Sequence, residues 1–141
     1  MELESSNNYK SYLLRILIIV FFALLIIYFF TKGNLLIYLF LFVALTLIFI
    51  SKKFTYKVII KDKNILLIYY QWLKRNKIIY TLSSIDAKIS KKVANRGHKY
   101  FELSIIKNDK IVYKIDERDG YDTNDFASIL NEVKSSNKEV C

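Results

Sequence analysis

From Leu13 to Ile50 the chain is almost uninterrupted hydrocarbon, broken once by Thr31-Lys32-Gly33-Asn34. A chain with such a run must bury it in a lipid bilayer or in a core far larger than the remaining residues can build. The break divides it into segments 13–31 and 35–50, which at the rise of an α-helix cover roughly 28 and 24 Å of a ~30 Å hydrocarbon core. The spacing predicts a transmembrane helical hairpin, with Gly33-Asn34 supplying the turn. Arg15, Lys52, Lys53 and Tyr28 are placed to anchor the helix ends at the headgroup level.

Orientation follows from basic residues in the short flanks. Lys10 and Arg15 precede the run and Lys52, Lys53, Lys57, Lys61 and Lys63 follow it, whereas the connecting loop holds only Lys32. The positive-inside rule puts both termini in the cytoplasm of an inner (plasma) membrane protein with two spans. A cleaved signal peptide would have a shorter apolar region and a small-residue cleavage site, and would not run at once into a second apolar segment. No ionisable residue lies deeper in either span than Arg15, so the sequence offers no ion or substrate path. Anchoring is the simplest reading of the pair.

The organisation that follows is a cytoplasmic segment 1–12, the hairpin 13–50, one domain over 51–135 and a disordered tail 136–141. Period-two alternation dominates the domain. Phe54, Tyr56, Val58 and Ile60 read as the inward face of a first strand. Asp62-Lys63-Asn64 turns the chain into Ile65 to Trp72, and Lys74-Arg75-Asn76 into Lys77 to Leu82. Strands follow at Ala87 to Lys92, at Phe101, Leu103 and Ile105, and, past an Asn108-Asp109 turn, at Ile111, Tyr113 and Ile115. Phe126, Ile129, Leu130 and Val133 then recur at helical spacing behind an Asp122 or Thr123 cap, and the helix should fade near Lys134. The fold class expected is membrane-anchored α+β, with a curved antiparallel sheet closed by a C-terminal helix.

Three stretches carry a family likeness: the strand pair Phe54 to Trp72, the run from Ile78 to Ile85, and the terminal Tyr121 to Leu130. With the preceding hairpin they resemble the bacterial pleckstrin-homology-like (PH-like) membrane proteins that carry an N-terminal double transmembrane hairpin. The likeness implies a half-barrel sheet plugged by the final helix. Six strands are read here, one fewer than the family's usual seven. Phosphoinositide sites in that fold use a long first strand–strand loop; the corresponding loop here is the short turn Asp62-Lys63-Asn64, so no such pocket is carried over.

Chemistry-bearing residues are few. His98 is the only histidine and Cys141 the only cysteine, so neither a Cys/His metal cluster nor a nucleophile–histidine pair with a nearby acid can be assembled, and no enzyme activity and no cofactor are expected. The acidic run Asp116, Glu117, Asp119, Asp122, Asp125 fails the calcium-loop test, because aligning Gly120 with the turn glycine puts Ile115 and Phe126 at ligand positions. The chain has a net charge of +9, and Lys88, Lys91, Lys92, Arg96 and Lys99 form a basic cluster suited to anionic lipid headgroups. Tyr70 and Trp72, on the second strand, are the expected surface for a protein partner. The expectation is a noncatalytic membrane-anchored binding or scaffolding protein. An inner-membrane immunity protein that neutralises a toxin is the alternative. Lysines scattered along several strands beside a membrane do not point to nucleic acid.

Overall fold

The computed structural model describes residues 1–94 and 97–138. It is an α+β structure of two N-terminal helices, two antiparallel sheets and a C-terminal helix. Its first element is not a helix. Glu2–Glu4 forms a short strand (β1), and the first helix (α1) runs Tyr9–Thr31, one turn earlier than the apolar run alone suggests. Asn8 caps it, its side chain accepting a 3.0 Å hydrogen bond from the Lys10 amide. The second helix (α2) spans Leu35–Ser51 and is capped by Asn34 in the same way, at 2.9 Å from the Leu36 amide. Lys32, rather than Gly33, takes the left-handed conformation between them. Gly33 instead leaves room for the Tyr38 ring, which a Cβ would meet at 2.9 Å.

Among the described residues α1 is the one helix long and apolar enough to cross a membrane. With 17 residues α2 falls below the ~20 of an ordinary span, so length and composition alone support one crossing where the sequence suggests two.

After α2 only Lys52 and Lys53 separate the helix from β2 (Phe54–Lys61). Strands β3 (Asn64–Gln71) and β4 (Lys74–Thr81) complete a sheet of order β1-β2-β3-β4. A helical turn, Leu82–Ser84, leads to β5 (Asp86–Val93), β6 (Lys99–Lys107) and β7 (Lys110–Asp116), a second sheet in that order. The single curved sheet expected from the sequence is therefore two separate ladders, and no closed barrel forms. A short turn, Glu117–Asp119, precedes helix α3 (Thr123–Lys138). That helix continues beyond Lys134, so the expected tail shrinks, its last residues lying outside the described ones. Asp122 and Asp125 exchange backbone-to-carboxylate bonds of 3.0 and 2.8 Å across its first turn.

The core lies between the sheets and under α3, built from Val58, Ile65, Leu67, Leu103, Ile105, Ile115, Phe126, Ile129 and Val133, all fully buried. Two bulges shift the inward parity. In β2 the register slips at Tyr56, so Thr55 is buried where Tyr56 is expected. In β7 a slip opposite Ile105/Ile106 leaves Ile111 55% exposed, while Tyr113 and Ile115 point inward as the alternation predicts.

Candidate functional site at the helix–sheet junction

The sheets do not hang from the helices on a loose tether. Tyr9, at the start of α1, is buried with its ring stacked on Tyr70 of β3 at 4.6 Å and tilted against Phe54 of β2 at 5.4 Å. Tyr12, one turn on, packs on Phe54 at 5.2 Å, and Tyr56 meets Tyr70 edge-on at 5.9 Å. Such ring pairs add of order 1 kcal/mol each beyond the area they bury. The α2 side is fixed by hydrogen bonds: the Trp72 amide donates to the Ile50 carbonyl at 2.8 Å, and the Gln71 side chain to the Ser51 carbonyl at 2.9 Å.

The segment between β1 and α1 is strapped to the turn that precedes α3. The Ser6 amide donates to the Gly120 carbonyl at 3.1 Å, the Asn7 side chain to Arg118 O at 3.2 Å, and the Ser5 hydroxyl to Asp119 O. Gly120 is left-handed at φ +99°, and a Cβ there would lie 2.7 Å from the Asn7 nitrogen. Both the turn and the strap require glycine.

Beside the end of α2 lies a mixed-charge groove of about 430 Å³, lined by Lys52, Lys53, Glu102, Tyr113, Lys114, Asp116 and Asp119. Most of its charges are engaged. Lys114 pairs with Glu102 at 3.1 Å, Arg118 grips Asp116 through two nitrogens, and Lys53 sits over the Tyr69 and Tyr113 rings at 5.3 and 5.2 Å. Asp119 is held by the backbone instead. Its carboxyl turns inward and accepts the Thr55 amide at 3.0 Å, and burial pushes its pKa up to about 7. Nothing in the groove pairs a nucleophile with a base. His98 lies exposed in the β5–β6 connection, and among the described residues no three His, Cys, Asp or Glu side chains gather at metal-binding spacing. The arrangement joins two helices to two sheets.

Lys91, Lys92 and Lys99 are all exposed near the turn end of the β5–β6 hairpin, Lys91 and Lys99 on one face of the ladder and Lys92 on the other. Lys91 lies 5.8 Å over the Phe101 ring, while Lys88 sits mid-strand opposite Ser104. Arg96 lies outside the described residues. That hairpin end is on the helix side of the molecule, because Tyr100 carries Arg118 over its ring at 4.3 Å and Arg118 adjoins Tyr12 and Lys52. Tyr70 and Trp72 do not form one surface: Tyr70 is taken up by Tyr9, and Trp72 projects from the β3–β4 turn, 53% exposed. Arg15 is exposed on α1, Lys52 folds back over Phe49 at 5.3 Å, and Tyr28 packs against Tyr38 at the far end of the helix pair. Tyr9, Asp119 and Gly120 did not emerge from the sequence as site residues. The only hint was their place at an apolar boundary and in an acidic turn.

Comparison of the chain with family models, curated proteins and solved structures returned no match.

Proposed function

We propose that the chain is a noncatalytic membrane-anchored binding module: α1 and α2 both cross the bilayer, and the two sheets form a PH-like domain on the cytoplasmic face, where it engages a protein partner and anionic lipid. The observation that carries the reading is the ladder between β1 and β2, in which Glu2, Leu3 and Glu4 pair with Ile59, Val58 and Lys57. These strands flank the helix pair in the chain. If α1 alone crossed, they would stand on opposite sides of the membrane and could not bond. Two crossings return the chain to the side it left. Cleavage after α1, as of a signal peptide, would strip β1 from the sheet.

A 17-residue helix is accommodated by local thinning and by Lys52 and Lys53 at its end. Lys10, Arg15, Lys52 and Lys53 all lie at the domain end of the helices and only Lys32 at the other, which favours a cytoplasmic domain. The strand order β1-β2-β3-β4 and β5-β6-β7, followed by a helix over the core, supports the PH-like reading, with β1 supplying the seventh strand. The exposed Lys91, Lys92 and Lys99 at the helix side of the sheets favour lipid contact.

The test is cysteine labelling in a Cys141→Ser background, using intact cells and a membrane-impermeant maleimide. Single cysteines at Ser6 and Asn108 should react only after lysis, and one at the exposed Lys32 should react from outside. Labelling of Ser6 and Asn108 from opposite sides would refute the paired crossing.

A further inference from the structure

Three hairpins turn through two residues that are both left-handed: Asp62-Lys63 at φ 51° and 61°, Trp72-Leu73 at 53° and 60°, and Asn108-Asp109 at 50° and 59°. Asp and Asn tolerate this conformation because their short side chains bond locally, and a polar tip is content in water. Trp72-Leu73 has neither excuse. Two bulky apolar side chains hold the least favoured backbone of the three turns and remain 53% and 58% exposed.

The location of this tip sets it apart. Its backbone is pinned to α2 by the Trp72–Ile50 bond of 2.8 Å, and the preceding Gln71 bonds Ser51 at 2.9 Å. On the other side Leu73 lines a cleft with Tyr9, Lys10 and Leu13 of α1. The tip thus stands at the base of both helices, level with the turn where α2 gives way to Lys52 and Lys53. Lys74 and Arg75 follow directly and are exposed. Apolar rings between a hydrocarbon exit and a set of cations match the boundary of an anionic bilayer, the depth at which tryptophan is enriched.

We propose that the Trp72-Leu73 tip inserts into the headgroup–acyl boundary of the leaflet from which α1 and α2 emerge, forming a third anchor that fixes the tilt of the sheets on the membrane. This rests on the membrane-spanning reading above. The occupant of the patch is lipid because the patch continues the surface of the spans themselves.

Trp72 is the only tryptophan in the chain, so its fluorescence reports the tip alone. The full chain is reconstituted into vesicles of phosphatidylcholine and phosphatidylglycerol, with either ordinary or brominated acyl chains. Insertion predicts blue-shifted emission, severalfold quenching by lipid brominated near the headgroup, weaker quenching by lipid brominated near the chain end, and little quenching by aqueous iodide. Leu73→Asp should restore iodide quenching without releasing the protein from floated vesicles. Free access of iodide to Trp72 in protein that still floats with vesicles would overturn the insertion and leave the spans standing. Emission insensitive to both iodide and bromine would also overturn it, since the cover would then be protein, whether a second copy or another chain. Failure to float at all would remove the membrane reading and the insertion together.

Discussion

Leu3 lies opposite Val58 in an antiparallel ladder although both long helices intervene between them in the chain. Leu3 packs half-buried against the core, while Lys57 on the neighbouring position pairs with Glu2 and, at 3.6 Å, with Glu4. A three-residue strand cannot stand alone. It forms because β2 offers a free edge and a lysine for two acids. Leu3→Asp should therefore detach it, at a cost of about 2 kcal/mol for placing a carboxylate against apolar side chains. The Ile60 amide, which donates to the Met1 carbonyl at 2.8 Å, should then exchange its proton severalfold faster while amides of β6 keep their protection. Hydrogen exchange in detergent micelles checks this.

Gly120→Ala should loosen the same segment from its other end. Its φ of +99° alone costs an alanine about 1 kcal/mol, and the 2.7 Å approach to the Asn7 backbone adds to that. The expected signature is a lowered Tm together with new protease cleavage between Ser5 and Asn8. A lowered Tm without cleavage there would mean that the strap is held by β1 alone.

The parts of this architecture that could be read in the residues are those with a sustained period. The helix pair, the β2–β3 hairpin and the inward face of α3 all follow from apolar spacing over two turns or several alternations, and Asp122 was visible as a cap. Elements that depend on a distant partner were not legible. Glu2-Leu3-Glu4 has one apolar residue, an alternation too short to signal a strand, and only Lys57 across the ladder makes sense of it. The bulges at Tyr56 and Val112 each add one residue to a strand, and one residue reverses the face of everything on one side of it. Lys74-Arg75-Asn76 resembles a turn by composition, yet the chain turns at Trp72-Leu73, where local preference opposes it. Tertiary contact with the end of α2 prevails there.

That opposition has a measurable consequence. Replacing Trp72-Leu73 with Asn-Gly, the pair best suited to two left-handed positions, should raise the stability of the sheets in detergent by about 1–2 kcal/mol. Chemical denaturation followed by far-ultraviolet circular dichroism reads the change. An unchanged midpoint would show that contacts of the tip already offset its backbone cost.

Tyr121 carries a second stability reserve. It is 2% exposed and its hydroxyl is buried with no hydrogen-bond partner among the described residues. Burial also pushes that phenol well above its usual pKa. Tyr121→Phe keeps the ring beside Phe126, at 6.3 Å, and removes only the unsatisfied oxygen. A gain of about 1 kcal/mol is expected, seen as a higher midpoint in the same denaturation.

Asp119 makes the junction sensitive to pH. Burial raises its folded-state pKa to about 7, against an ordinary value of 3.8, so the folded protein holds the proton more tightly than the unfolded chain does. The neutral form is the one the fold prefers. Its contribution to stability is therefore fully present below pH 4 and is lost as pH rises through 7. Asp119→Asn leaves a side-chain oxygen to accept the Thr55 amide, now 3.0 Å from the carboxylate, and cannot ionise. The variant should match the wild type near pH 4 and exceed it by about 2 kcal/mol at pH 8, the full shift being tempered by the partial exposure of the residue. Denaturation midpoints of the two proteins across pH 4 to 8 check this divergence. Parallel curves would mean that Lys52, Lys53 and Arg118 around the groove hold Asp119 ionised throughout, and that the clamp between helices and sheets does not respond to protons.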